Sequence, residues 1–160
     1  MQIIFSKNKS PLSRAIRWVL NEPCSHVAFV FGDTWLLQAN LLGMNTHWFA
    51  QWLEKNDVVQ ELTYPMDKIS EWLLLHQIAD QYLDAKYDYS AFAYFAVRAL
   101  AHKFFKIPMP TRCPWNNRQK YLCEEVVGII PRQITKLPDG LDLAAITPFG
   151  MYNLLKGYQK

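Results

Sequence analysis

The chain contains few cysteines, and their arrangement excludes two common uses of this residue. Cys24, Cys113 and Cys123 are three in 160 residues, an odd and sparse set that argues against a disulfide framework and for a reducing compartment. Neither the Cys-x-x-Cys nor the His-x-x-x-His spacing of common zinc sites occurs. We therefore expect no bound metal ion.

Long apolar runs are missing as well. A membrane helix needs ~20 apolar residues, and Arg98 interrupts the best candidate, residues 91–101. The apolar run within residues 1–7 is too short for a signal peptide, and its charge lies on the wrong side. The sequence thus predicts a cytoplasmic protein with no transmembrane segment.

Acidic residues are absent between Asp88 and Glu124, although the net charge of the whole chain is only +3. A basic stretch of this kind is either a solvated surface or a patch for an anionic ligand. No nucleic-acid-binding motif accompanies it, so we expect no specific nucleic-acid partner. The cations in the stretch are Arg98, Lys103, Lys106, Arg112, Arg118 and Lys120.

The residues that are present are typical of a globular protein. Hydrophobic residues make up 51% of the chain and charged residues 19%, which excludes an intrinsically disordered chain. Repeats, linkers and low-complexity segments are not apparent, and the length suits one hydrophobic core. We predict a single domain over residues 1–160.

Capping signals and periodicity predict the elements. Ser10 and Pro11 predict a helix start, and two apolar segments, residues 26–31 and 34–40, predict a β-hairpin. The sequence predicts an α+β fold with a small antiparallel sheet packed against helices. The other expected strands are at 2–5 and 58–64, and a loop is expected at 107–117. The other expected helices are a short one from about 46, one from Asp67 to about 85, a buried one from Ser90, one from Cys123 that ends before Pro131, and a last one from Thr147 closed by Gly157. In the helix from Asp67, the residues expected to point inward are Ile69, Trp72, Leu73, His76, Ile78 and Ala79.

Cys123 is a candidate nucleophile. It lies at the start of its predicted helix, with Glu124 and Glu125 in the first turn. The helix dipole at such a position stabilises a thiolate and lowers the pKa of the thiol, whereas the two adjacent carboxylates oppose this by repulsion. A lone cysteine is more often an inert core residue, so both roles remain open.

His26 is the candidate partner of this cysteine, because a thiolate and an imidazolium together form the nucleophile of cysteine hydrolases. The residue begins a strand of Val, Ala and Phe, and it shares a face with Ala28 and Val30. The alternative is a partly exposed histidine at a strand end. Three other histidines are weaker candidates, since packing, solvation or a helix start explains them: His47, His76 and His102.

A catalytic histidine usually needs a polar partner that orients its ring, and Gln38 on the next strand is the candidate, with Asn40 on the same face. Facing residues of an antiparallel hairpin have a constant index sum and point to the same side of the sheet. A three-residue loop at 32–34 places Gln38 opposite Ala28 on the His26 face. A loop one residue earlier places Gln38 directly opposite His26. A two-residue loop places it on the wrong face, and both odd-length loops and the tight two-residue turn are compatible with the sequence.

The order of these motifs resembles that of the circularly permuted NlpC-type cysteine peptidases, papain-fold proteins of bacteria and their phages. In papain-type enzymes the cysteine precedes the histidine, and here the order is reversed. The resemblance covers residues 24–155, nearly the whole chain. The segments that carry it are Ser25-His26-Val27-Ala28-Phe29-Val30, Leu36-Leu37-Gln38-Ala39, Lys86-Tyr87-Asp88-Tyr89, Leu122-Cys123-Glu124-Glu125-Val126-Val127 and Ile146-Thr147-Pro148.

The resemblance implies a papain-like fold with Cys123 as nucleophile, His26 as general base and the Cys123 backbone N–H as an oxyanion donor. Gln38 stands where the family usually has Glu, so it can orient an imidazole but cannot stabilise an imidazolium by charge. Cys24 has no counterpart and is interpreted as structural. The implied function is a cysteine hydrolase that cleaves an amide bond of a peptide or cell-wall fragment through an acyl-enzyme, with no metal or organic cofactor.

Two other functions remain open. Relatives that resemble lecithin retinol acyltransferases act on lipid esters with the same pair, so a lipid substrate is an alternative. The aromatic segments at residues 48–52 and 104–105 would contact the lipid, although a role in the core explains them more simply. The third function is a non-catalytic binding protein, which the departure at Gln38 keeps open.

Overall fold

The computed structural model describes residues 1–83, 85–115, 120–129, 137–138 and 140–158. Its strands are β1 (Gln2–Asn8), β2 (His26–Phe31), β3 (Trp35–Asn40), β4 (Gly43–Trp48), β5 (Asn56–Thr63), β6 (Lys86–Tyr87) and β7 (Lys120–Tyr121). Its helices are α1 (Pro11–Leu20), α2 (Phe49–Leu53), α3 (Lys68–Tyr82), α4 (Tyr89–Phe105), α5 (Val126–Ile129) and α6 (Pro148–Tyr158), with a 3-10 turn at Leu143–Ala145.

Within the described residues, β1 to β5 form an antiparallel sheet of five strands in the order β4-β3-β2-β1-β5. One face of the sheet, with Phe5 and Phe29, packs into the main core together with residues of the helices. The opposite face, with Ala28 and Leu36, forms a smaller cluster with Trp52 of α2. The predicted α+β class and antiparallel sheet are confirmed.

The β2–β3 hairpin has the three-residue loop at residues 32–34, one of the three predicted alternatives. Phe31 pairs with Trp35, which gives the register that places Gln38 on the His26 face. Gly32 and Asp33 both adopt positive φ, 56° and 55°, a region that Gly and Asp tolerate better than most residues. Thr34 closes the loop, since its N–H donates to the Phe31 carbonyl at 3.1 Å.

The predicted start of α1 is confirmed. The Ser10 side chain accepts a hydrogen bond from the Ser13 N–H at 3.1 Å, and Pro11 is the first helical residue. Asn21, in the left-handed conformation with φ 56°, ends the helix.

The predicted short helix from residue 46 is wrong in its start. Residues 43–48 form β4, which pairs along its whole length with β3, and α2 begins only at Phe49. His47 therefore lies in a strand. Pairing with β3 supplies the backbone hydrogen bonds that a helix would otherwise make, so tertiary context overrides the local apolar pattern.

The inward face predicted for α3 is confirmed only at Ile78, whereas Ile69, Trp72, Leu73 and His76 are exposed. The predicted cap at Asp67 is confirmed. Apolar residues occur on every side of this helix, so periodicity does not select one face. Glu71 is buried, with its carboxylate 2.7 Å from the amino group of Met1, and this contact helps set the orientation. The buried apolar residues are Leu74, Leu75 and Ile78.

The helix from residue 90 was expected to be well buried, and α4 is not. Only Ala91 and Ala99 are buried in this fully described helix. Small residues allow α4 to approach its neighbours on one side, and its large apolar residues remain on the outside. The exposed ones include Val97, Leu100, Phe104 and Phe105. Among the described residues, no helix combines the length and apolarity required to cross a membrane.

Two further predictions concern the C-terminal part of the chain. Gly157 was expected to close the last helix but lies inside α6, which extends to Tyr158. The predicted end of the helix that follows Cys123 falls at residue 130, outside the described residues.

Candidate functional site

His26 and Gln38 form a direct hydrogen bond. The Nε2 atom of His26 lies 2.8 Å from the Oε1 atom of Gln38. His26 is the first residue of β2, and the hairpin register places Gln38 on the same face of the sheet, diagonal to it. The three-residue loop at 32–34 therefore accounts for this contact.

The neighbours of Gln38 determine which way its amide points. The Nε1 atom of Trp52 lies 3.2 Å from Gln38 Oε1, and an indole N–H can only donate a hydrogen bond. The atom beside Trp52 and His26 must therefore be the carbonyl oxygen, while Gln38 Nε2 donates to Asn45 Oδ1 at 3.3 Å. It follows that His26 carries its proton on Nε2, which leaves Nδ1 able to accept a proton.

Trp52 and Asn45 are functional neighbours that the sequence did not identify. Trp52 was expected only as part of a short apolar helix, and Asn45 lies on β4, a strand that was not predicted. The two side chains hold Gln38 from opposite ends of its amide. Asn45 could not be identified from the sequence, because the pairing of β3 with β4, which places it opposite Gln38, was not predicted.

Burial lowers the pKa of His26 to about 4, and the hydrogen bond to Gln38 opposes this only in part. The imidazolium loses more hydration than the neutral ring when water is excluded. At neutral pH the ring is therefore uncharged, with the tautomer that Gln38 imposes.

Cys123 lies in a turn, and not at the first turn of a helix as predicted. The helix α5 begins at Val126, and the turn is closed by the Glu125 N–H donating to the Leu122 carbonyl at 3.1 Å. The Glu125 carboxylate also accepts a hydrogen bond from the Leu122 N–H at 2.9 Å. The polar atoms of Leu122 and Glu125 thus stabilise the turn, and a helix dipole is not what supports the thiol.

The segment before Cys123 is held by β7, which pairs in parallel with β6. Tyr87 pairs with Tyr121, and the Asp88 N–H donates to the Tyr121 carbonyl at 3.2 Å. The Asp88 carboxylate then accepts from the N–H groups of Ser90 and Ala91 and so begins α4. The Lys86-Tyr87-Asp88-Tyr89 motif therefore has two structural roles, positioning of the Cys123 segment and capping of α4.

Burial raises the pKa of the Cys123 thiol well above its usual range, and the Glu124 carboxylate raises it further. The thiol donates a hydrogen bond to Glu124, while the Val27 N–H donates to the sulfur and partly offsets these effects. Of the two opposing effects that the sequence suggested for this pKa, repulsion by a neighbouring carboxylate is present, whereas a helix does not begin at Cys123. At rest, both the thiol and the imidazole are neutral.

Cys123 and His26 line the same cleft, which has a volume of about 740 Å³. Cys123 contacts the backbone of Val27, the residue that follows His26. Gln38, Asn40 and Tyr87 are also in the lining of this cleft. Over the described part of the chain, no hydrogen bond joins the Cys123 sulfur to the His26 ring, so the predicted pairing of the two residues stays a prediction.

A second cavity of about 400 Å³ also reaches Cys123. It lies between α1 and α4, and apolar side chains such as Ile16, Phe95 and Ala99 form most of its wall. The few polar groups in its lining are Ser25, Tyr87, Cys123 and Glu124. Cys123 thus separates a polar cleft from an apolar cavity.

Glu124 is the titratable group closest in pKa to neutral pH at this site. Burial raises the pKa of its carboxyl to about 7, with its own backbone N–H and the Cys123 thiol opposing the shift. Burial also raises the pKa of Cys24 to about 12, and the carboxylates of Glu22 and Glu124 add to this. Cys24 is fully buried in the main core, where it packs with apolar residues.

The remaining histidines lie away from the cleft. His47 is exposed on β4, His76 packs against the Trp72 ring, and the His102 Nδ1 atom lies 2.9 Å from the Ile107 carbonyl oxygen. Among the residues that the structure describes, no group of three or more His, Cys, Asp or Glu side chains is placed to hold a metal ion.

The comparisons with known proteins add no relative to these observations. No protein-family model matches the chain, and no curated protein or solved structure is significantly similar to it. The resemblance to the permuted NlpC-type peptidases therefore rests on the sequence motifs, and the chemistry of the site rests on the geometry of His26, Gln38 and Cys123.

Proposed function

We propose that the protein is a papain-like cysteine hydrolase that cleaves an amide bond, in a peptide or a cell-wall fragment, with Cys123 as nucleophile. The observation that carries the proposal is the oriented His26–Gln38 pair, joined at 2.8 Å, in the same cleft as Cys123. An oriented imidazole beside a thiol is the arrangement that activates a cysteine for acyl transfer. No metal or organic cofactor takes part in the proposed reaction.

The proposed mechanism begins from a neutral pair. When substrate enters the cleft, the Cys123 thiol turns from Glu124 towards His26 and transfers its proton to Nδ1 as the sulfur attacks the carbonyl carbon. The imidazolium then donates this proton to the leaving amine, so that the C–N bond breaks and a thioester forms. Water, activated by His26, hydrolyses the thioester and releases the acid and the free thiol.

In this mechanism, Gln38 stabilises the imidazolium form of His26 less than a carboxylate would. Its carbonyl oxygen accepts a hydrogen bond from the Nε2–H group of His26 whether the ring is neutral or protonated, so the ring stays oriented throughout the cycle. A carboxylate would add a full negative charge and favour the imidazolium. We therefore expect a slower acylation step than a glutamate at position 38 would support.

The apolar cavity favours a second candidate, hydrolysis of a lipid ester by the same pair. Its volume of about 400 Å³ is in the range of ligand pockets, roughly 300–1,000 Å³. An acyl chain in this cavity would place its carbonyl at Cys123, with the polar part of the lipid in the neighbouring cleft.

Trapping of the acyl-enzyme tests both candidates. The protein is incubated with peptidoglycan stem peptides or with phospholipids, quenched in acid and digested, and the mass of the Cys123 peptide is measured. We expect an acyl adduct on Cys123 with one of the two substrate classes, and the class that forms it identifies the substrate. Cys113→Ala should retain the adduct, because Cys113 lines neither cavity.

The same experiment can refute the proposal. Cys123→Ala should form no adduct and should not hydrolyse either substrate. Equal turnover by Cys123→Ala and the unaltered protein would show that the activity does not depend on this thiol. Absence of both adduct and turnover with both classes would favour the non-catalytic binding protein.

A further inference from the structure

The apolar side of α1 is only partly covered by the rest of the protein, since Ile16 and Val19 are half-buried and Leu12 is exposed. The helix carries an apolar stripe that includes Leu12, Ile16 and Val19, yet Ser13 is the one buried residue of this fully described helix. The stripe lines the cavity between α1 and α4. A strongly amphipathic helix normally packs this side into a core, so the exposed apolar surface requires an explanation.

The neighbouring part of α4 has the same character. Phe104 is exposed, and its ring lies 6.1 Å from the ring of Trp18, which is 58% exposed. Leu100, also exposed, lines the cavity together with Trp18. We call this surface the α1–α4 face. It consists of residues that line the cavity or contact Trp18, namely Leu12, Trp18, Leu100, Lys103 and Phe104. It also includes the exposed Arg14, which precedes Trp18 by four residues on the same side of α1 and does not line the cavity.

The charges of the α1–α4 face are all positive. Neither α1 nor α4 contains an aspartate or glutamate, while Arg14 and Lys103 lie on the face itself. The Lys103 ammonium is 4.2 Å from the centre of the Trp18 ring. The nearest acid after α1, Glu22, accepts a hydrogen bond from the Thr147 hydroxyl at 2.5 Å and has a pKa raised by burial.

We propose that the α1–α4 face docks onto an anionic lipid surface. Exposed Trp and Phe interleaved with Arg and Lys fit the interface of a bilayer, where aromatic rings lie among the headgroups and cations attract anionic lipids. A nucleic acid would use the cations but would leave the apolar side chains exposed, and a protein partner would not require the positive charge. The proposal does not depend on which bond Cys123 cleaves or on whether it cleaves one.

Flotation with vesicles tests the proposal. The protein is mixed with vesicles of phosphatidylcholine alone or of phosphatidylcholine with phosphatidylglycerol, and the fraction that floats is measured at low and high salt. We expect binding to the anionic vesicles only, weakened by salt. Because each cation near an anionic surface changes affinity about fivefold, Arg14→Gln with Lys103→Gln should weaken binding about 25-fold.

Matched variants separate the face from the rest of the surface. Trp18→Ala should reduce binding, whereas Trp72→Ala should not, although Trp72 on α3 is equally exposed at 58%. Lys68→Gln with Lys86→Gln removes the same charge from elsewhere and should have little effect. Circular dichroism confirms that each variant is folded.

Three results would overturn the proposal: no binding to anionic vesicles, equal loss of binding in the Trp18 and Trp72 variants, or retention of a short DNA duplex with no binding to vesicles. Cys123→Ala should bind vesicles as the unaltered protein does. Failure of hydrolysis and failure of docking are therefore distinguishable.

Discussion

The two halves of the candidate site are supported in different ways. His26 and Gln38 lie on adjacent strands of the five-stranded sheet, where Phe31↔Trp35 pairing sets their relative position. Cys123 lies in a turn that follows β7, a strand of two residues that, among the residues the structure describes, pairs only with the equally short β6. The imidazole half is thus positioned by an extended ladder, and the thiol half by a few contacts between segments distant in sequence.

This difference indicates where the site can adjust. A hairpin of fixed register leaves His26 and Gln38 little freedom, and Trp52 and Asn45 hold the amide from both ends. The thiol donates to Glu124 at rest and must reorient to reach His26. We expect substrate binding to move the Cys123 turn more than the hairpin.

The largest expected effect comes from removing either member of the reacting pair. Cys123→Ala should abolish hydrolysis, and His26→Ala should lower kcat by about 10²–10⁴-fold, the usual contribution of a general base. Steady-state kinetics with the substrate identified by acyl trapping measures both. If His26→Ala retains full kcat, the His26–Gln38 pair takes no part in the reaction.

A substitution at the junction of the two halves should have the next largest effect. Gly43 has φ +106°, and a Cβ there would lie 2.5 Å from the Ala85 carbonyl oxygen, just before β6. Strain and this clash should lower the free energy of unfolding of Gly43→Ala by about 2–4 kcal/mol, measured by urea denaturation. Gly32→Ala is the control for positive φ alone, since a Cβ there meets no atom within 4 Å.

The Gly43→Ala variant also distinguishes the hairpin that holds His26 from the β6–β7 pairing that holds the Cys123 segment. We expect the His26 ring signal in NMR spectra to be unchanged, while alkylation of Cys123 becomes faster because its segment is less well held. An altered His26 signal with unchanged Cys123 labelling would reverse the comparison between the two halves.

Substitution of Gln38 should have a smaller effect on rate and a clear effect on pKa. Gln38→Ala removes the orienting bond and should lower kcat about tenfold, of the order seen for neighbours that orient ligating histidines. Gln38→Glu places a carboxylate beside the ring, which favours the imidazolium and should raise the pKa of His26 from about 4 by 1–3 units. An NMR titration of His26 measures the shift, and a lower pKa in Gln38→Glu would contradict the orientation assigned to this side chain.

The smallest effect concerns Glu124 and depends on pH. The pKa of its carboxyl is raised to about 7, so the group is mostly neutral below pH 7 and becomes a carboxylate as pH rises through 7. This charge raises the pKa of the Cys123 thiol. At pH 5, Cys123 should therefore be alkylated as slowly in Glu124→Gln as in the unaltered protein. Above pH 7, Cys123 should be alkylated faster in Glu124→Gln than in the unaltered protein.

The gain in Glu124→Gln should be about tenfold for each unit by which the thiol pKa falls. Rates of iodoacetamide labelling, followed by peptide mass spectrometry, measure it. Glu125→Gln is the matched control, because the Glu125 side chain contacts the Leu122 N–H and does not contribute to the pKa of Cys123. Equal acceleration in both variants would show a general loosening of the turn.

The sequence by itself determined the local elements that have strong capping or turn signals. Ser10 and Pro11 located the start of α1, Asp67 that of α3, and the apolar segments on either side of Gly32 the β2–β3 hairpin. These signals act between residues close in sequence, so the chain carries them without reference to the rest of the fold. His26 and Gln38 could be paired in advance because a hairpin register has only a few alternatives, and the structure selects one of those foreseen.

The tertiary structure decided what depends on distant contacts. Pairing with β3 turned residues 43–48 into a strand, the Met1–Glu71 contact oriented α3, and the β6–β7 pairing placed Cys123 in a turn beside Val27. The protonation of the pair was decided in the same way. Removal of water lowers the pKa of His26 and raises that of Cys123, so that both groups are neutral. How much water is removed depends on the packing of the whole molecule, which the local sequence does not determine.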